Sequence, residues 1–338
     1  MLRVAAFTGG VNVPSARFRV RQYIPALLRL GVSVEEMKCR FGKYPPEPWW
    51  ARPFWGCGAL MEQTPNVLRS FQSDVVLLQR EILSTFLTLE PFTKKPRILD
   101  VDDSIYLYRG GNFARRLAQL ADLIICGNEC LADWFRAFNR NVTIIPTAVD
   151  SEKYAPASVR RNPDEPKAIG WIGTRVSLKH LESIEDALEE VMREYPGVRL
   201  RVVCDRPPAF RRLPPHRVEF VPWAANGEVA HIQGMDIGIM PLEDSPLSRG
   251  KCSLKMLQYM SCGLPVVVSP VGMNNDILKM GTPGMSASTM RQWVDSLTVL
   301  LRNDKLRYDM GACGRRIVSE SFSIHTLAPC LAMCLRGV

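Results

Sequence analysis

Histidine is scarce in this sequence, with four in 338 residues. Chemistry that depends on imidazole, in zinc centres or His-based acid–base pairs, has little to draw on. None of the ten cysteines is spaced C-x-x-C. That excludes the common zinc-ribbon and thioredoxin-type motifs. Cys126 and Cys130, and likewise Cys330 and Cys334, stand four apart, but without the turn-rich setting of a metal site. They read as small buried hydrophobes in a reducing compartment. No stretch approaches the roughly 20 apolar residues that span a bilayer. The opening Met1–Gly10 reads as a first buried strand rather than a signal peptide. No block of five or six like charges is present, and no sequence-level repeat. No G-x-G-x-x-G follows the first strand, which argues against a dinucleotide oxidoreductase.

What is present fits a folded chain. Hydrophobic residues make up 46% and charged residues 23%, with a net charge of +9. The length suits two α/β domains. Scattered basic residues suit a basic surface or a phosphorylated substrate. Short apolar runs alternate with longer amphipathic stretches, the rhythm of parallel sheets covered by helices. Strands are predicted at Leu2–Phe7, Val32–Glu35, Val75–Gln79, Arg97–Val101, Leu123–Cys126 and Val142–Ile145. Helices are predicted at Phe18–Leu30 and Phe113–Leu120. The polar, Pro-marked segment Ala155–Pro166 reads as a linker. After it, strands are expected at Ala168–Ile172, Leu200–Cys204, Val218–Phe220, Ile237–Met240 and Val266–Val268. Helices are expected at Leu181–Glu194, Ala225–Gln233, Ser253–Ser261, Met290–Arg302 and Lys305–Glu320.

Residues 42–55 break the rhythm. Three of the seven Trp residues fall there, among four prolines that argue against regular helix. Trp49, Trp50, Phe54 and Trp55 with nearby Arg suit a membrane interface. The plainer alternative is a loop whose aromatics fold back on the domain.

The strongest chemical signal runs from Arg249 to Val268: loop, helix, Gly stop, Pro, buried strand. A helix opening near Lys251–Ser253 offers free N–H groups and a dipole to an anion. Lys251 and Lys255, four apart, then share a face, with Gln258 close by. A solvated basic helix face is the competing reading. In the first half, Gly10 follows the first strand, where a glycine lets a substrate approach the backbone. Ser15, Arg17 and Arg19 follow in a loop that opens a helix. Cations are disfavoured at a helix start, so Arg17 and Arg19 are expected to face phosphate or acceptor. Asp100, Asp102 and Asp103 crowd a strand end, where ligands of open α/β sheets bind. Crowding should raise at least one of their pKa values. A helix N-cap with a solvated pair is the alternative. Asp100-x-Asp102 also matches a metal-binding D-x-D, a short pattern common by chance.

The stretch Gln258-Tyr259-Met260-Ser261-Cys262-Gly263-Leu264-Pro265-Val266-Val267 resembles the nucleotide segment of family 4 retaining glycosyltransferases of the two-Rossmann-domain (GT-B) type. That family carries two glutamates eight positions apart; here Gly250 and Gln258 take their places. The resemblance implies that Gln258 faces the ribose. Ile145-Pro146-Thr147-Ala148-Val149-Asp150 resembles the family's interdomain segment. Gly170-Trp171-Ile172-Gly173-Thr174-Arg175 with Lys179 resembles its donor loop. The family's phosphate-binding Arg falls at Thr174, with Arg175 one residue along, and its Lys at Lys179.

The resemblance implies two Rossmann-like doubly wound α/β domains facing across a cleft. Residues 1–155 would form the acceptor domain and 156–315 the nucleotide-sugar domain. A helix in 316–338 would pack back on the first domain. It implies glycosyl transfer from a nucleoside-diphosphate sugar to the hydroxyl of a glycan, lipid-linked or small-molecule acceptor. Configuration would be retained, with no metal, no cofactor and no nucleic acid. Asp102, Asp103 and Lys255 are the expected catalytic groups. Gly173, Thr174, Arg175, Lys179, Lys251, Ser253, Lys255 and Gln258 would hold the donor, and Gly10, Ser15, Arg17 and Arg19 an acceptor or phosphate. The location expected is cytoplasmic, peripheral at the inner membrane face. Rival readings are a nucleotide-sugar epimerase of the same fold and a non-catalytic nucleotide-sugar-binding protein.

Overall fold

The structure is a computed structural model, and it describes residues 1–158 and 165–338. Of the segment read as a linker, residues 159–164, with Arg160, Arg161, Pro163 and Asp164, lie outside the described residues. The chain divides into two compact units. The first holds Met1–Ala148, Gly250–Cys252 and Ile324–Val338; the second holds Val149–Arg249 and Ser253–Ser323.

In the first unit, six strands form one all-parallel sheet in the order β2-β1-β3-β4-β5-β6. They are β1 Leu2–Thr8, β2 Val32–Lys38, β3 Val75–Gln79, β4 Arg97–Val101, β5 Leu123–Cys126 and β6 Val142–Ile144. Their near-continuous apolar runs are what burial on both faces demands. The order reverses between β1 and β3, which opens a ligand crevice beyond the carboxyl ends of those two strands. The C-terminal helix Ile324–Arg336 buries Leu327, Leu331 and Leu335 in this unit's core with Tyr23, Leu27 and Val32.

The second unit has the sheet order β12-β11-β10-β7-β8-β9, again all parallel. Its strands are β7 Ala168–Ile172, β8 Arg199–Cys204, β9 Val218–Pro222, β10 Ile237–Met240, β11 Val266–Val268 and β12 Gly284–Ser286. The switch point lies between β7 and β10, as in dinucleotide-binding sheets. Trp171, Leu188, Trp293 and Leu297 anchor the core.

Several elements differ from expectation, each for a local reason. The single helix expected over Phe18–Leu30 is a π-turn Ala16–Val20, a 3₁₀ turn Arg21–Tyr23 and a short helix Ile24–Arg29. Pro25 has no N–H to give the preceding turn and restarts the helix. The helix expected over Leu181–Glu194 is interrupted between Leu178–Glu182 and Glu185–Glu194. Ser183 Oγ donates to the His180 carbonyl at the break. Arg52–Ser70 is a 19-residue helix, contrary to the proline argument. Pro45, Pro46 and Pro48 precede it, and Pro53 sits in its first turn, where a missing N–H costs nothing. Strand β12 was not anticipated; Gly284 keeps it close to β11, since a Cβ there would stand 1.9 Å from the Val266 carbonyl oxygen.

Candidate functional site

In the second unit the candidate site lies where β7 ends. Gly173 N–H donates to the Val203 carbonyl (3.0 Å), and the chain turns through Thr174 into Arg175–Ser177. The Arg175 N–H donates to Asp205 (2.7 Å), which pins the loop and leaves Thr174, Arg175 and Lys179 exposed. Lys255, on the helix Leu254–Ser261, lays its ammonium over the Trp171 ring at 4.8 Å. A Cβ at Gly173 would stand 2.5 Å from that ring and 2.9 Å from Lys255 Cε. Only glycine therefore leaves room for this stacked cation at the switch point. The hydroxyl of Tyr259, on the same helix, accepts the Ile172 N–H (2.8 Å) and so ties the helix to β7. Gly238 on β10 admits the Tyr259 ring, against which a Cβ would stand at 2.4 Å.

The start of the Lys255 helix differs from expectation. The helix begins at Leu254, and Ser253 adopts φ +51° with its hydroxyl buried and donating to Asn274 (2.7 Å). Asn274 in turn donates to the Ser269 carbonyl (3.1 Å). Ser253 thus fixes a turn with its side chain. Lys251 lies outside the helix, so helical spacing does not place it on one face with Lys255. Its segment Gly250–Cys252 groups with the first unit, where the Asn128 amide donates to the carbonyls of Gly250 (3.1 Å) and Lys251 (3.2 Å). The Cys252 thiol, kept protonated by burial, donates to the Asp102 carbonyl (3.3 Å).

Gln258 is buried and does not present its amide outward. Its amide nitrogen donates to Glu228 (2.6 Å) and to the Tyr154 hydroxyl (3.2 Å). The structure gives it a framing role in place of the ribose contact that the resemblance implied. A depression of about 190 Å³ opens near the carboxyl ends of β10 and β11, lined by Pro241, Leu242, Ser269, Ser288 and Trp293. Sequence reasoning had not assigned these residues to a site.

In the first unit, polar groups gather where β1, β3 and β4 end. Gly10 has φ +132°, and a Cβ there would stand 3.2 Å from the Cys39 carbonyl oxygen. Arg19 is not ligand-facing. It is buried, its Nε donates to Asp100 (3.0 Å) and its Nη1 donates to the Ile145 carbonyl (2.7 Å). The cationic helix start is thereby explained by an internal partner. Burial pushes the Asp100 carboxyl up, with Arg19 pulling against it. Arg17 is half-buried, its guanidinium 5.1 Å from the Phe18 ring centre.

Asp102 and Asp103 do come together, and Arg80 joins them. Its Nε lies 3.4 Å from Asp102 and its Nη1 3.8 Å from Asp103, while Nη2 donates to Ser15 Oγ (2.9 Å). Ser15 is therefore a buried brace of Arg80. Gln79 also donates to Asp102 (3.3 Å). Beside them the fully buried Lys43 ammonium is 3.1 Å from Glu81. Desolvation pulls Lys43 down to about 8, against the opposing charge of Glu81. Sequence reasoning missed Lys43, Arg80 and Glu81. Arg80-Glu81 directly follows the strand that ends at Gln79, a position that carries ligand groups in such sheets.

The aromatic segment resolves both ways. Trp55 folds back and donates its indole N–H to the Gly42 carbonyl (3.1 Å). Trp49, Trp50 and Phe54 are 78%, 63% and 77% exposed.

Residues 166–303 match the family described as Glycosyl transferases group 1. No curated protein sequence matches the chain. Among solved structures, the fold is similar to sucrose-phosphate synthase from Thermosynechococcus elongatus, at 14% identity and a TM-score of 0.75 over 100% of this chain and 99% of that one. It is similar to Anabaena HepE in complex with UDP and glucose, at 15% identity and a TM-score of 0.73 over all of both chains. WaaG, a glycosyltransferase involved in lipopolysaccharide biosynthesis, matches at 12% identity and a TM-score of 0.63, again over all of both chains. The fold is GT-B, and the matched domain is that of a group 1 glycosyltransferase.

Proposed function

We propose that this chain transfers a glycosyl group from a nucleoside-diphosphate sugar to an acceptor hydroxyl, with retention of configuration. One observation carries the reading: Lys255 stacked on Trp171 against Gly173, at the switch point of the second unit's sheet. A cation fixed there is placed to meet a diphosphate whose charge grows as the C1–O bond to it breaks. Arg175 and Lys179, on the exposed loop after β7, supplement that charge. Lys251, in the segment Gly250–Cys252, is a further phosphate contact in this reading. The serine-lined depression near β10 and β11 takes the nucleoside end. In the first unit, Asp102 and Asp103, held by Arg80, receive the acceptor hydroxyl. The family domain and the fold support this assignment, and the HepE structure with UDP and glucose supports a nucleotide-sugar donor.

The reading includes a lipid-linked or membrane-borne acceptor, met from the inner face of a bilayer. Trp49, Trp50 and Phe54 are exposed beside Arg52, whose side chain reaches back to the Pro46 and Glu47 carbonyls. Exposed Trp with Arg is the composition of an interfacial anchor. Among the described residues no helix is long and apolar enough to cross a membrane.

Incubation of the purified chain with UDP- and GDP-sugars and a panel of methyl glycosides as acceptors, followed by proton NMR of the products, tests the reaction. A new glycosidic anomeric signal with the donor's configuration supports it. Epimerised donor or unchanged donor with tight binding would replace it by the rival readings. Calorimetric titration of UDP and GDP into Lys255→Ala, Lys179→Ala and Lys251→Ala variants tests the site. Trp49→Ser with Trp50→Ser should abolish sedimentation with anionic vesicles and leave nucleotide affinity unchanged. Loss of nucleotide binding instead would make that segment structural.

A further inference from the structure

Backbone strain and unmet hydrogen-bonding capacity converge at one place in the first unit, beyond the end of β3. Among the described residues four non-glycine residues have positive φ, and three of them are Arg80 (+60°), Thr85 (+56°) and Arg109 (+49°). Such strain costs energy and collects at functional sites. Independently, seven buried side-chain atoms in the described residues make no well-aligned hydrogen bond, and four of them are Lys43 Nζ, Gln79 Oε1, Arg80 Nε and Glu81 Oε2, the two cations meeting only the ion-pair contacts to Glu81 (3.1 Å) and Asp102 (3.4 Å). Two are donors and two acceptors. A buried polar network in this state normally answers to a ligand or water that it is built to meet.

The segment that carries these groups is held firmly. The wholly buried Glu90 carboxylate accepts the N–H groups of Ile82 (2.7 Å) and Thr88 (2.6 Å), and the Ser84 N–H donates to the Lys43 carbonyl (3.1 Å). Arg109 Nε donates to Thr85 Oγ1 (2.9 Å), and its guanidinium covers the Phe86 ring at 4.2 Å.

The layering of charge decides what such a site accepts. The cations lie underneath, with side-chain exposures of 0% for Lys43 and 10% for Arg80, and both already face carboxylates. The groups nearer solvent are Asp102 at 17% and Asp103 at 31%. An anionic ligand would meet carboxylates first. Two exposed phenol rings stand next in the chain to this network: Tyr44 follows Lys43, which faces Glu81, and Tyr108 precedes Arg109, which donates to Thr85. Carboxylates accept hydrogen bonds from paired hydroxyls, and aromatic faces cover the C–H face of a pyranose.

We propose that Asp102, Asp103, Tyr44 and Tyr108, on the floor of Arg80 and Gln79, form a subsite for an uncharged saccharide with adjacent hydroxyls. Calling that saccharide the acceptor rests on the function proposed above; its binding does not. The acceptor end that reaches this chain is then a sugar ring, and not a phosphate or a phosphopolyol. When the Asp102 carboxylate turns to a diol, the spare atoms of Gln79 and Arg80 can follow it.

Saturation-transfer NMR on the full chain tests this with methyl glycosides of mannose, glucose, galactose and rhamnose, and with glycerol 3-phosphate. At least one glycoside should receive saturation at its ring C–H protons, and glycerol 3-phosphate none. Asp103→Asn should weaken glycoside binding about tenfold, the effect of a lost charge-assisted hydrogen bond. Tyr44→Ala and Tyr108→Ala should weaken it similarly, all three with unchanged UDP affinity. Binding of glycerol 3-phosphate in place of the glycosides, or equal binding of both, overturns the proposal. So does failure of every glycoside to bind, or full binding by the Tyr44→Ala and Asp103→Asn variants. Glycoside binding by a chain that binds no nucleotide would sink the proposed reaction and leave the saccharide site standing.

Discussion

Arg19 offers the sharpest separation of framework from ligand contact. Its guanidinium is almost wholly buried, holds both Asp100 oxygens and donates to the Ile145 carbonyl. Arg19→Met would keep the aliphatic volume and strand the Asp100 carboxylate in the core of the first unit. Removing one member of a buried pair costs about 3–5 kcal/mol, because the other charge is left without compensation. The lost bond to Ile145 adds about 1 kcal/mol. For a unit of this size each kcal/mol lowers Tm by roughly 2–4 °C. The first unit's transition should therefore fall by at least ~6 °C. Scanning calorimetry is the assay, because two units need not unfold in one step. Adding Asp100→Leu removes the stranded charge and should restore most of the loss, since an apolar replacement for a buried pair is often near neutral. A drop below about 1 kcal/mol in the single variant, together with weakened ligand binding, would refute the framework role and return Arg19 to the ligand.

Other variants test the rest. Gly173→Ala should push Lys255 off Trp171 and weaken UDP or GDP binding about tenfold or more in calorimetry, the scale of one charge-assisted contact; unchanged affinity would remove Lys255 from the donor site. Gln258→Glu should destabilise the second unit, because the new carboxylate would face Glu228 at the 2.6 Å contact and the two would share one proton. That retained proton gives the folded state more bound protons than the unfolded one above the ordinary carboxylate range, so the variant's deficit should grow from pH 5 to pH 8 in thermal melts. Lys43 runs the opposite way. Unfolded, it keeps its proton to 10.5; folded, only to about 8. Its burial therefore costs stability below pH 8, and the cost is relieved as pH rises toward 10.5, by at most about 3 kcal/mol. The buried thiols Cys126 and Cys252, pushed up by burial, lose stability in the same range. The measurement is therefore the difference between wild type and Lys43→Met, which should shift in favour of wild type as pH rises through that window; a flat difference would refute it.

The strands were legible because both sheets are parallel and covered on both faces, so each central strand is a continuous apolar run. Val75–Gln79, Arg97–Val101, Ile237–Met240 and Val266–Val268 stand where those runs predict. Helix ends were less legible, since they depend on single backbone groups. Pro25 broke one helix by lacking an N–H, and Ser183 interrupted another by bonding His180. Site residues divided by the same logic. Asp102 and Asp103 were legible because a strand end is a place that sequence can locate. Arg80, Lys43 and Ser15 were not read as one network, because the groups that join them are far apart in the chain. Arg19 misled because sequence shows a cation at a helix start and not the carboxylate, 81 residues on, that neutralises it.

The two positions where the resemblance leads one to expect glutamate now have physical explanations. At Gly250 a Cβ would stand 1.8 Å from Ser104 Oγ and 3.1 Å from Leu131, so any longer side chain requires that wall to move. At 258 the neighbour is a buried carboxylate, Glu228, and an amide can donate to it where a second carboxylate could not. Ser261 and Arg315 tie the same cluster together through the Tyr154 carbonyl. Gly250 and Gln258 are therefore both matched to their surroundings. On the proposed reading the Lys255 cation meets the donor's diphosphate, and the donor's hydroxyls are met by groups other than side chains at 250 and 258.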